Sequence, residues 1–207
     1  MKKVILFVFI VFTMFSCVHD DIRKDNLTRP GFDITGSFKL EQTVLDFFAS
    51  YNLIRPGQTE PVVTAISYDW FNAYDFKLRA SNGYEFDLIK TDVEFRYKLF
   101  YGDDLIMEFY QLDLPEIVYQ MDYNGGVYTI SEEIRKSYWN QIIDSAVFTI
   151  KDSNGLELVH IFKEFHYFAN IVDIITDGTN KRIDPVTITA VSVIMNESMK
   201  ERFSRFK

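Results

Sequence analysis

The chain has 207 residues, with 30 acidic against 22 basic side chains, a formal net charge of −8 and a single cysteine. That balance argues against nucleic acid, and against adhesion to an anionic bilayer by charge, because both reward basic surfaces. One cysteine allows no disulfide within the chain, so burial must hold the fold, and an aromatic content of 16% supplies a large core.

The first 17 residues read as an export signal. Lys2 and Lys3 precede the apolar run Val4 to Phe12, and Thr13-Met14-Phe15-Ser16-Cys17 closes the segment. A positive start with an apolar stretch shorter than the roughly 20 residues of a membrane span has the form of a cleaved leader. Met14, Ser16 and Cys17 resemble the signal of a bacterial lipoprotein, whose peptidase cuts just before a cysteine that already carries diacylglycerol. Phe15 departs from the small residue usual at that position. The resemblance implies a signal peptide over residues 1–16, acylation of Cys17 and a bilayer as partner through that lipid. Stable anchoring takes at least two acyl chains, which a lipidated Cys17 would carry. Loss of residues 1–16 removes two lysines and no acids, moving the net charge from −8 to −10.

Residues 17–31, from Cys17 through the charged run to Pro30-Gly31, read as a solvated tether of about 20 Å average reach. Asp20-Asp21 resembles the acidic surface-export signal of some Gram-negative lipoproteins, which implies the outer membrane, with outward display one option. Residues 32–207 are then expected to form a single domain with a short C-terminal tail.

Within Phe38–Tyr51, Leu40, Val44, Phe47, Phe48 and Tyr51 fall at helical spacing, although alternation also fits; the segment leans to helix. Arg55 to Pro61 breaks the chain, and Val62 to Asp69 is a β-branched run. Four hairpins follow. Phe76–Ile89 turns at Ser81-Asn82-Gly83. Val93–Phe109 turns at Gly102-Asp103-Asp104, with Val93, Phe95, Tyr97, Leu99 and Tyr101 on one face and Glu94, Arg96 and Lys98 on the other. Ile117–Tyr128 turns at Asn124-Gly125-Gly126, and Ala146–Phe168 at Asp152-Ser153-Asn154-Gly155. Asn-Gly supplies the positive φ of tight turns, and one apolar face against one polar face marks an antiparallel sheet. Thr129 with Glu132 resembles a capping box, and Ile134, Tyr138, Ile142 and Ile143 form a stripe that predicts a helix over Ser131–Ser145, with Trp139 in the core. Short strands are expected at Ile171–Ile175 and Val186–Met195, and a frayed end at Asn196–Lys207.

The stretch Phe76–Phe86 echoes Phe148–Leu158 around a shared Ser-Asn-Gly. Turn chemistry alone explains such likeness better than duplication does, because the flanks differ. The fold expected is therefore mainly β: an antiparallel β-sandwich-like domain with one packed α-helix.

Motifs of catalysis are absent: no Gly-x-Ser-x-Gly elbow, no phosphate-cradling loop, no His-Glu-x-x-His and no reactive cysteine. His160, Glu164 and His166 would share a strand face, but His160 and Glu164 lie about 13 Å apart along it, so no metal is expected. Neither is a cofactor. Tyr68, Trp70, Phe71 and Tyr74 crowd a stretch that does not alternate cleanly. Of these, Tyr68, Trp70 and Tyr74 are the candidate ligand-binding rings, suited to a glycan or an envelope-protein partner. The chain thus reads as a non-catalytic binding or accessory module, the alternatives being a periplasm-facing assembly lipoprotein or a hydrolase of unfamiliar type.

Overall fold

In a computed structural model the described residues are 36–45, 48–68, 75–93, 95–112, 118–136, 143–164, 171–176 and 183–204. They form twelve strands and one helix. The strands are β1 (Gly36–Leu45), β2 (Phe48–Ile54), β3 (Val63–Ser67), β4 (Phe76–Ala80), β5 (Glu85–Lys90), β6 (Arg96–Tyr101), β7 (Asp104–Gln111), β8 (Val118–Tyr123), β9 (Gly126–Lys136), β10 (Ile143–Lys151), β11 (Glu157–Glu164) and β12 (Ile171–Thr176). The helix α1 spans Pro185–Ser204. Each strand pairs antiparallel with its neighbour in sequence, and β1 pairs with β12 from Gly36↔Thr176 to Glu41↔Ile171, closing the sheet into an up-and-down barrel. These elements belong to one compact unit, Ile34–Lys207.

The mainly antiparallel β architecture with one packed helix is the one the sequence predicts, and the alternation of its hairpins shows why. On β4, Phe76, Leu78 and Ala80 are buried while Lys77 and Arg79 are exposed. On β6, Tyr97 and Leu99 are buried and Lys98 is not. The inner face continues through Phe86 and Leu88, Met107 and Phe109, Tyr119 and Met121, Tyr128 and Ile130, and Phe148 and Ile150. Outside, charges pair across neighbouring strands: Lys77 with Asp87 at 3.4 Å, Arg79 with Glu85, Arg96 with Glu108 at 3.0 Å, and Lys151 with Glu157 at 2.9 Å. A membrane-spanning barrel carries its apolar band outward. Here the described wall is built the other way round, apolar inside and charged toward water.

A twelve-stranded barrel is too wide to be filled by its own side chains. Strands about 4.8 Å apart and tilted about 40° close into a cylinder roughly 24 Å across, and about 5 Å of side chain from each wall leaves a bore of roughly 14 Å. That admits one α-helix with its side chains, about 10–12 Å across. The helix fills it: every residue from Pro185 to Met199 is buried except Glu197, which is half-buried. This run is about 22 Å long, close to the rise of an eight-residue strand at that tilt.

The helix differs from expectation in place, for identifiable reasons. Val186–Met195 is rich in Val, Ile and Thr and reads as a strand, yet it is the core of α1, and Asn196 to Ser204 continues the helix where a frayed end is expected. A helix buried on all sides has no apolar stripe to betray it. Conversely, Ser131–Ser145 is not the packed helix. Its described parts belong to β9 and β10, where Ala146 pairs with Ile134 and Phe148 with Glu132; Tyr138, Trp139 and Ile142 lie outside the described residues. Ile134 is exposed on the outer wall, so its place in an apparent stripe is coincidental. Phe38–Tyr51 also forms strands rather than helix, β1 pairing with β2 from Lys39↔Ile54 to Leu45↔Phe48. Phe38, Leu40 and Tyr51 are buried there, as alternation requires.

Candidate functional site

The up-and-down order gives the barrel two unlike rims. At one, β4–β5, β6–β7, β8–β9 and β10–β11 are joined by short turns; Gly36 of β1 and Asp184, just before α1, also lie at this turn rim. Glycines in the left-handed region make these turns, Gly83 at φ 88° and Gly155 at φ 80° among them. The Asp152 carboxylate accepts from Asn154 N at 2.9 Å and Leu156 N at 3.0 Å, which sets the fourth turn. At the far rim lie Ser67 of β3, Phe76 of β4, Lys90 of β5 and Arg96 of β6.

Two polar nodes hold the helix in the bore. Asp184 caps its start: Oδ1 accepts from Val186 N at 2.7 Å and Thr187 N at 3.0 Å. Pro185 takes the first helical position, where an N–H has no partner to lose. Oδ2 of Asp184 accepts from Tyr123 of β8 at 2.6 Å and from the Thr187 hydroxyl at 2.7 Å. Three turns on, the Tyr51 hydroxyl on β2 donates to Glu197 and accepts from Asn196 Nδ2 at 2.7 Å. Burial, then the carboxylates of Glu197 and Asp184, push both phenols above the ordinary tyrosine range. Within α1, the Thr189 hydroxyl returns to Pro185 O at 2.7 Å and that of Ser192 to Ile188 O at 2.8 Å. Small polar residues can therefore lie inside an apolar wall by bonding their own backbone.

Apart from the half-buried Glu197, these groups are packed away from solvent, and they serve cohesion of the fold. Sequence reasoning missed all of them. The one available signal was Asp184-Pro185, an N-cap residue followed by the residue favoured at the first helical position.

Of the candidate rings, Tyr68 sits just past the end of β3 at the far rim and is 48% exposed. Its N–H points to Asp75 O at 3.4 Å, and the Asp75 carboxylate accepts from Lys90 N at 2.8 Å, tying the flanks of this connection to β5. Trp70 and Tyr74 lie outside the described residues, as does Cys17. On the same rim, between β5 and β6, Val93 is 55% exposed, and Phe95 holds a φ of 52° that a bulky side chain rarely adopts. On the predicted face of this hairpin, Tyr97 and Leu99 point inward, whereas Val93 has left the ladder.

His160 stands on the outer wall with Nδ1 3.2 Å from the Thr149 hydroxyl and Nε2 3.6 Å from Glu157. His166 lies outside the described residues. Among the described residues no group of three or more His, Cys, Asp or Glu side chains is placed to hold a metal. A further outer-wall network joins Arg96, stacked 5.4 Å over the Tyr110 ring, to Glu108, while Gln120 donates to Asp122 at 2.9 Å and to the Tyr110 hydroxyl. Burial and the Asp122 carboxylate raise the Tyr110 phenol.

Compared with protein-family models, with characterised proteins and with solved structures, the chain matches none.

Proposed function

We propose that this chain is an exported lipoprotein, held in the outer membrane through an acylated Cys17, and that its barrel is a non-catalytic binding or accessory module for a glycan or an envelope protein. The observation that carries the binding role is the filled bore. Barrels of this breadth commonly enclose a ligand or a channel, but this one is packed along its axis with its own helix, which leaves recognition to the rims and the outer wall. The charged outer face supports a domain bathed in water rather than one embedded in lipid.

A tether joined at the turn rim would leave the far rim, with exposed Tyr68 and the sequence neighbours Trp70 and Tyr74, directed away from the bilayer. Amphipathic rings at such a position stack against sugars or peptides. Growth with a clickable fatty acid tests the anchor: the native protein takes up the label and stays with membranes, and a Cys17→Ser protein that did the same would refute it. Protease shaving of intact cells then decides the side. Cleavage supports a displayed module, whereas protection would move the protein to the periplasm-facing assembly role. A glycan array with Tyr68→Ala and Trp70→Ala variants reads out the ligand, and binding unchanged in both would remove these rings from the site.

A further inference from the structure

Four consecutive hairpins of the turn rim share one feature. Each places a large apolar or aromatic residue within two positions of its tip: Tyr84 after Asn82-Gly83, Leu105 after Asp103-Asp104, Val127 after Gly125-Gly126, and Leu156 after Asn154-Gly155. Leu105, Val127 and Leu156 are 49%, 50% and 51% exposed, and Tyr84 is half-buried with its ring 5.6 Å from that of Tyr101. Because these turns follow one another around the barrel, the four residues form an arc on a single rim. The repeated Ser-Asn-Gly of the first and fourth hairpins belongs to the same arc.

We propose that this arc is a membrane-docking edge, which seats the turn rim on the bilayer to which the chain is anchored; the inference rests on acylation of Cys17. Residues 18–35 separate that cysteine from β1, and β1 begins at this rim. By random-coil scaling a chain of that length would reach roughly 23 Å on average, about the width of the barrel, so the arc would be held at high effective concentration beside the lipid. Aliphatic side chains standing on polar turns, with a tyrosine pair at one end of the arc, match the gradient from acyl chain to headgroup. Asp103 and Asp104 directly precede Leu105 and oppose an anionic surface, so the preferred bilayer is zwitterionic.

The test uses the mature lipoprotein reconstituted into phosphatidylcholine vesicles. An environment-sensitive fluorophore is placed on Leu156→Cys or, at the far rim, on the equally exposed Val93→Cys. The Leu156 probe is expected to shift to the blue and to be quenched by lipids spin-labelled about 5–10 Å below the phosphates, and the Val93 probe to do neither. Adding Leu105→Asp with Val127→Asp is expected to abolish quenching at position 156 while flotation with vesicles persists, and replacing part of the lipid with phosphatidylglycerol to weaken it. Flotation retained with equal quenching at both positions, or with none at either, overturns the docking edge and leaves the anchor standing. Loss of flotation in the parent protein overturns the anchor, and this proposal with it. If the double aspartate variant fails to fold, the comparison of positions 156 and 93 still decides.

Discussion

Replacing Asp184 with alanine is expected to cost about 2–4 kcal/mol, more than loss of a helix cap alone. The cap accounts for about 1 kcal/mol, through the bonds to Val186 N and Thr187 N. The remainder comes from the other oxygen. It accepts the Tyr123 hydroxyl at 2.6 Å inside the barrel, and a buried hydroxyl left without a partner costs about 1–3 kcal/mol. Tyr123→Phe alone removes the donor and leaves Asp184 bonded to Thr187 at 2.7 Å, so its cost is about 1 kcal/mol. The double variant leaves no orphaned phenol and should fall short of the sum of the singles by about 1–2 kcal/mol. Urea denaturation at neutral pH, followed by far-ultraviolet circular dichroism, measures all three. An Asp184→Ala cost below about 1 kcal/mol, or strict additivity in the cycle, would show that this node does not hold the helix to the wall.

Alkaline pH should unfold the protein through its interior tyrosines. Tyr51 and Tyr123 ionise above the ordinary value of 10.0, so their contribution is complete below pH 10 and is lost as pH rises beyond it, because the unfolded chain releases those protons first. The expected slope is about 1.4 kcal/mol per pH unit for each residue, and a Tyr51→Phe, Tyr123→Phe variant should show a flatter denaturation profile above pH 10. Gly155→Ala should cost about 1 kcal/mol by thermal melt, a purely backbone effect, since φ is 80° and a Cβ there would meet nothing within 4 Å. The Lys151 ammonium holds the Glu157 carboxyl below the usual range, so in Lys151→Met the Glu157 titration followed by carbon NMR should return upward.

The hairpins were legible because turn chemistry and period-two alternation are local. Gly83 and Gly155 take the positive φ that their Asn-Gly pairs announce, and the Arg79↔Glu85 and Lys98↔Glu108 pairings place opposite charges across strands as the pattern implies. The helix was illegible for a tertiary reason. Amphipathic periodicity arises when one face meets water, and α1 meets none along its buried length. Its Thr and Ser residues, which argue against a helix in an exposed setting, are quieted by bonds to carbonyls one turn back. The false helix at Ser131–Ser145 arose from the reverse error, in which Ile134, an outward residue of β9, was counted into a stripe. The rings near Tyr68 were picked out for breaking alternation, and Tyr68, the one described, lies just past the end of β3 and is exposed. Nothing in local sequence could say that the core would be a bore with an occupant.

The seam between β1 and β12 joins residues about two thirds of the chain length apart, from Gly36↔Thr176 onward. Its two lips cannot meet until all the intervening hairpins exist, and the helix that must be enclosed is made last of all. Zipping is therefore a terminal event of folding, with a long loop to close. The same lock slows escape: the axial segment leaves only if the staves part, which favours a long-lived native state.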